Sequence, residues 1–239
     1  MVITKISKVG IGSEHKKIIF VEIIQHGKKF HYKIFREHFK INPEVYNSQI
    51  RKKYPLKINV VGEYFSQINY SHIHEKDDLS KDILLNKKKK EPDVAERLSL
   101  LMFYVAKTDF PEIFKVDIIS PVPNTTSNKF DTKGPALSMQ LFLKLKNNYP
   151  ILHHELLNKI GLTNMKFKSD IQRIELFKNN RFYKFNKLFN IQDKTILLID
   201  DVITLGCTTN QCLEELYNNG AKNVYIYAVA KNHFEKRLL

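Results

Sequence analysis

Apolar and polar residues alternate strictly near the start of the chain, and the period changes about a third of the way along. IIFVEII at 18–24 and FHYKIF at 30–35 flank Gly27, which predicts a β-hairpin. The N-terminal MVITKISKVGIG alternates in the same way, and KINVVGEYF at 57–65 is a further strand candidate. Residues 71–93 are polar and charged, with Asp77, Asp78, a lysine run and Pro92, and their composition predicts a linker. Beyond them VAERLSLLMFYVAK at 94–107 has helical spacing, and VDIISPVP at 116–123 is a short apolar strand ended by prolines. GPALSMQLFLKLKNN at 134–148 reads as an amphipathic helix with Pro135 in its first turn. ILHHELLNKIG at 151–161 reads as another helix, which would set His153 and His154 in different directions. KTILLID at 194–200 and NVYIYAVAK at 223–231 are strands, with a helix over Asn210–Asn219 between them. Strand and helix thus alternate from residue 94 onward, which predicts an α/β fold with a parallel sheet flanked by helices. The division expected is a β-rich N-terminal region over 1–93 and an α/β domain over 94–239.

Within this frame, ILLIDDVITLGCTT at 196–209 carries the most chemistry. Ile196 to Ile199 do not alternate, as in a parallel strand buried on both faces. Asp200 and Asp201 then fall at the strand's carboxyl end, where open α/β sheets form their ligand crevices. A turn at Thr204–Thr208 leads into a helix, and backbone N–H groups converging at a helix start form an anion site. Carboxylates beside such a nest suit a sugar phosphate: acids hold hydroxyls, amides hold phosphate.

The same residues resemble the phosphoribosyl-diphosphate (PRPP) motif of type I phosphoribosyltransferases, in which four apolar residues and two acids precede V-x-T-T-G-x-T. Val202, Ile203, Thr204, Leu205, Gly206, Cys207 and Thr208 follow the acids here. Leu205 departs, standing where that family has Thr or Ser. The resemblance implies a type I phosphoribosyltransferase fold. It implies ribose hydroxyls on Asp200 and Asp201, directly or through the waters of a Mg²⁺ ion, and the 5-phosphate on Thr204, Leu205, Gly206, Cys207 and Thr208. The implied reaction displaces pyrophosphate from C1 of PRPP by a nitrogen nucleophile. Thr204 replaces the acid that hypoxanthine-type enzymes carry, which argues against 6-oxopurine salvage.

Two further stretches are similar to the ComF-like branch of that family. DIISPVPNTTSNKFDTKGPALSMQ has the branch's P-V-P, basic loop, Gly and helix in order, and Lys129, Lys133 and Gly134 become candidates for pyrophosphate contacts. SDIQRIELFKNNRFYKF at 169–185 has Gln172, Arg173, Asn179 and Asn180 in an order like the branch's flap, although a solvated amphipathic helix explains it too. On this basis Arg173 is the flap residue. The ComF-like resemblance covers roughly residues 95–235. It does not extend to residues 1–93, which lack the branch's zinc-binding cysteines.

Charge and cysteine content change this picture in two respects. The net charge is +14, split as +8 over residues 1–95 and +6 over the rest, so no basic tail is marked. Phosphorylated ligands and nucleic acid both suit such a surface, while Lys, Asn and Ile abundance also follows from an AT-rich genome. Lys87 to Lys90 form the one lysine run and read as solvated linker. Cys207 and Cys212 are the two cysteines, too few for a zinc ribbon or a disulfide framework, and they suit a reducing cytosol. His72 and His74 share a strand face and read as surface side chains. No stretch has the roughly 18 apolar residues of a membrane span, and a cytoplasmic location is expected. A homo-oligomer is left open. The competing expectation is a phosphoribosyltransferase-like effector or regulator without normal catalysis that associates with nucleic acid or a ribonucleoprotein. A retron-type anti-phage defence system is one setting that would fit.

Overall fold

In a computed structural model, residues 2–10, 17–36, 57–65, 77–89, 91–123, 137–146, 151–161 and 168–232 are described. Strands β1 (Val2–Gly10), β2 (Lys17–Gln25) and β3 (Lys28–Arg36) form an antiparallel sheet. The β2–β3 hairpin turns at His26 and Gly27, both at positive φ (50° and 74°), as a two-residue turn matched to the strand twist requires.

The second sheet is parallel and five-stranded. β4 (Lys57–Tyr64) lies at one edge, followed by β10 (Asn223–Asn232), β9 (Thr195–Ile203), β5 (Ile118–Pro121) and β6 (Leu152–His153). The apolar run Ile196–Ile199 is therefore the middle strand, as its lack of alternation predicts. β4 precedes the boundary expected at residue 93 yet pairs with β10 along its length, from Lys57 opposite Tyr225 to Tyr64 opposite Asn232.

Helices cover both faces. α1 (Asp78–Lys89) and α2 (Pro92–Asp109) join the hairpin on one face, where Leu79, Ile83, Leu98 and Met102 pack with Ile23, Tyr32, Leu197 and Ile199. α3 (Leu137–Lys146) adds Leu141 to the same core. On the other face α5 (Cys207–Asn218) packs Cys212, Leu213 and Leu216 against Ile196, Leu198 and Ile226. α4 (Asp170–Asn179) and the small antiparallel pair β7 (Leu157–Lys159) and β8 (Tyr183–Phe185) complete that layer.

A polar knot ties the hairpin to the helical layer. Arg97 donates to both carboxylate oxygens of Asp82 (3.1 and 2.8 Å) and to Gln25 Oε1 (2.7 Å), and the Tyr32 hydroxyl donates to Asp82 Oδ2 at 2.5 Å. The guanidinium also stacks over the Phe30 ring at 3.9 Å. Its partners are thus satisfied although all four polar residues are buried.

Two expectations are corrected. Residues 78–89 form α1, where a polar linker was expected. Leu79, Ile83 and Asn86 make a buried stripe at helical spacing that the charged residues around it obscure, and Asp77 caps the start by accepting the Ser80 N–H at 2.8 Å. Residues 151–161 are not a helix, because the free edge of β5 captures Leu152 and His153 while β8 captures Leu157–Lys159. Leu152 and Ile160, needed for a helical apolar stripe, are exposed. His153 accordingly sits in a strand and His154 stacks on Phe189 at 4.5 Å. His72 and His74, like Lys129, Lys133 and Gly134, lie outside the described residues.

Candidate functional site

Adjacent residues of a strand project to opposite faces, so the carboxylates of Asp200 and Asp201 meet different surroundings. Asp200 is 5% exposed, whereas Asp201 is half-buried. The Asp201 N–H donates to Asp200 Oδ1 at 2.8 Å, and the Val202 N–H donates to Asp201 Oδ1 at 2.6 Å. Burial, and then the negative charge of Asp201, push the Asp200 carboxyl up to about 8, against the opposing pull of the Asp201 N–H and Lys87. Burial thus favours the neutral form of Asp200, which is able to donate as well as accept.

Asp201 forms an ion pair with Lys87, Nζ to Oδ2 at 3.3 Å. The ammonium also stands 5.9 Å from the centroid of the Tyr64 ring, at the carboxyl end of β4. Lys87 belongs to the run read as solvated linker, so the sequence reading missed it. The signal that finds it is the helical stripe of α1, which carries Lys87 to Asp201 at the carboxyl edge of the sheet.

The strand continues past the acids to Ile203, and the chain then turns through Thr204, Leu205 and Gly206 into α5. The helix begins at Cys207, three residues earlier than expected. Gly206 takes φ 85°, a left-handed conformation that disfavours a side chain, and it serves as the N-cap with no side-chain cap bond. Its carbonyl accepts the Asn210 N–H at 2.8 Å, but the N–H groups of the first helical turn have no intrahelical acceptor. Those amides and the positive end of the helix dipole face the turn. Leu205 is part-buried against the apolar cluster beneath α5 and also lines the crevice beside the acids, so the side chain that departs from the motif offers a ligand no hydroxyl. Burial pushes the Cys207 thiol up to about 11, which keeps it neutral and leaves its backbone as the useful group.

Asp200, Asp201 and the turn from Thr204 to Thr208 line one cleft of about 280 Å³, together with Arg173, Lys159, Phe177 and Tyr183. A volume of this order suits a phosphorylated sugar better than a dinucleotide. Arg173 enters from α4, whose start is closed by a capping box between Ser169 and Gln172. Gln211 holds the end of that helix to α5: its Nε2 donates to the Phe177 and Asn180 carbonyls (2.8 and 2.5 Å) and its Oε1 accepts the Phe182 N–H at 3.0 Å. Lys159 comes from β7, and burial pulls its ammonium below the usual range. The Tyr183 hydroxyl donates to Thr208 Oγ1 at 3.4 Å. Arg181 pairs with Glu214 instead of facing the cleft lining.

Among the described residues no three His, Cys, Asp or Glu side chains cluster to hold an ion. One accessible carboxylate does fit Mg²⁺, which keeps most of its waters and binds through one or two carboxylates plus the oxygens of a bound phosphate. Among the described residues no helix is long and apolar enough to cross a membrane.

No family model matches the chain, and no curated protein matches it. Among solved structures, it is similar to one described as the allosteric regulatory enzyme of purine biosynthesis, with a TM-score of 0.38 and 18% identity over 56% of this chain and 26% of that one. It is also similar to the purine phosphoribosyltransferase of Pyrococcus horikoshii, with a TM-score of 0.34 and 14% identity over 58% of this chain and 88% of that one. The chain thus spans about a quarter of the first of these proteins.

Proposed function

We propose that this chain binds PRPP, or a closely related phosphorylated ribose, and transfers the phosphoribosyl group to a nitrogen acceptor. The observation that carries the reading is the sharing of one cleft by an acidic pair, an uncapped helix start and two cations, Arg173 and Lys159. The 5-phosphate would lie on the amides of Gly206, Cys207 and Thr208, with the Thr208 hydroxyl and the two cations around it. Ribose hydroxyls would reach Asp200 and Asp201, the former able to donate as well as accept. In the reaction the bond from C1 to the diphosphate oxygen breaks, the electron pair leaves with pyrophosphate, and a C1–N bond forms as the nitrogen loses its proton. Such chemistry asks the protein to hold charges in fixed places and needs no protein nucleophile. Asp201 is the residue suited to a Mg²⁺ ion, which when bound would neutralise the leaving diphosphate.

Thermal denaturation with matched concentrations of ribose 5-phosphate, ribose and inorganic phosphate tests the ligand class. Ribose 5-phosphate is expected to raise the melting temperature more than either fragment, because binding to the folded state alone stabilises it. A shift no greater than that given by inorganic phosphate would contradict the reading.

The net charge of +14 supports the second reading, a nucleic-acid-associated effector or regulator, such as a retron-type component. That reading requires binding to nucleic acid that weakens steeply with salt. Absent or salt-insensitive binding removes it.

A further inference from the structure

We propose that Lys87 is the cation for the second anionic group of the ligand, and so selects a sugar phosphorylated at both ends over a monophosphate. The inference rests on the phosphoribose reading and adds to it a residue from outside the α/β segment. The two sets of charges reach the acids from opposite sides of the sheet. Arg173 and Lys159 line the cleft with the turn that leads into α5, and α5 packs on the face formed by Ile196, Leu198 and Ile226. Lys87 is not part of that lining. It arrives on α1, whose Leu79 and Ile83 belong to the core of the opposite face, the core that also holds Leu197 and Ile199. Between the two sets stand Asp200 and Asp201, with Asp201 3.3 Å from the Lys87 ammonium.

That order of charges, cations then acids then a cation, matches a ligand with an anion at each end and hydroxyls between. A sugar monophosphate would use the turn side alone. Lys87 is free to serve because its partnership with Asp201 is weak. Its side chain is 38% exposed, and part-exposed ion pairs of this kind contribute little. The ammonium therefore exchanges Asp201 for a diphosphate oxygen as ribose hydroxyls or a divalent ion take over the carboxylate. Tyr64, whose ring centroid lies 5.9 Å from the ammonium, gives it an aromatic neighbour besides Asp201. Lys88 and Lys89 share the last turn of α1, where the helix dipole favours positive charge.

Calorimetric titration of PRPP and of ribose 5-phosphate into the full chain, at constant Mg²⁺, tests this with wild type, Lys87→Met and Lys88→Met. Loss of one charge-assisted contact predicts that Lys87→Met weakens PRPP about tenfold and ribose 5-phosphate less than about twofold. Lys88→Met should bind both as wild type does. Equal weakening of both ligands, unchanged PRPP binding, or tighter PRPP binding in Lys87→Met would overturn the assignment while leaving the phosphoribose reading intact. Wild type that binds neither ligand overturns both. Circular dichroism of Lys87→Met should match wild type, since the side chain lies outside the cores.

Discussion

The backbone N–H of Asp201 donates to the side chain of Asp200 at 2.8 Å, so the second acid of the pair helps to hold the first. Asp200 is nevertheless buried enough that its carboxyl is pushed up to about 8 from 3.8. Between those two values the folded chain keeps a proton that the unfolded chain has released. Stability from this group is therefore fully present below about pH 4 and is lost as pH rises through 8. Asp200→Asn removes the dependence. Its melting temperature is expected to exceed wild type at pH 9, with the gap closing steadily as pH falls towards 4. Melting curves that keep a constant offset across this range would show that Asp200 does not bury a proton.

Arg97 gives a test of the connection between the hairpin and the helices. Removing it leaves Asp82 buried without its counter-ion, which destabilises by about 3–5 kcal/mol. Arg97→Met should lower the urea midpoint accordingly, and Asp82→Asn combined with it should recover part of the loss. A change below about 1 kcal/mol, the range of exposed pairs, would contradict the buried network.

Leu205 makes a signed prediction about the turn. Leu205→Thr restores a hydroxyl beside the anion site, and a charge-assisted bond of about 1.5 kcal/mol would tighten phosphate or PRPP binding roughly tenfold. The same change removes an apolar side chain from the core edge, so the melting temperature should fall. Weaker ligand binding in this variant would mean that the turn does not face the phosphate.

The middle of the sheet was legible because its residues answer to local rules. Ile196–Ile199 lack alternation and sit between two parallel neighbours, and the hairpin around Gly27 follows from period-two strands joined by a residue tolerant of positive φ. The segment at 151–161 was not legible, since its apolar spacing is compatible with a helix until two distant strand edges, β5 and β8, compete for it. Lys87 was missed for a related reason. Its local composition reads as solvated linker, and what brings it to Asp201 is the packing of α1 on β3, β4 and α2, which places Leu79 and Ile83 in the same core as Leu197 and Ile199 of β9. Arg173 was one candidate from its order in the chain, where a solvated helix was the favoured reading, and its side of α4 lines the cleft.

The most direct test of the phosphoribose reading is calorimetric titration of PRPP with and without Mg²⁺, on wild type and Asp201→Asn. Wild type is expected to bind saturably and more tightly with Mg²⁺, and Asp201→Asn to lose at least about tenfold, as removal of a charged partner does. No saturable PRPP binding by wild type under either condition would contradict it.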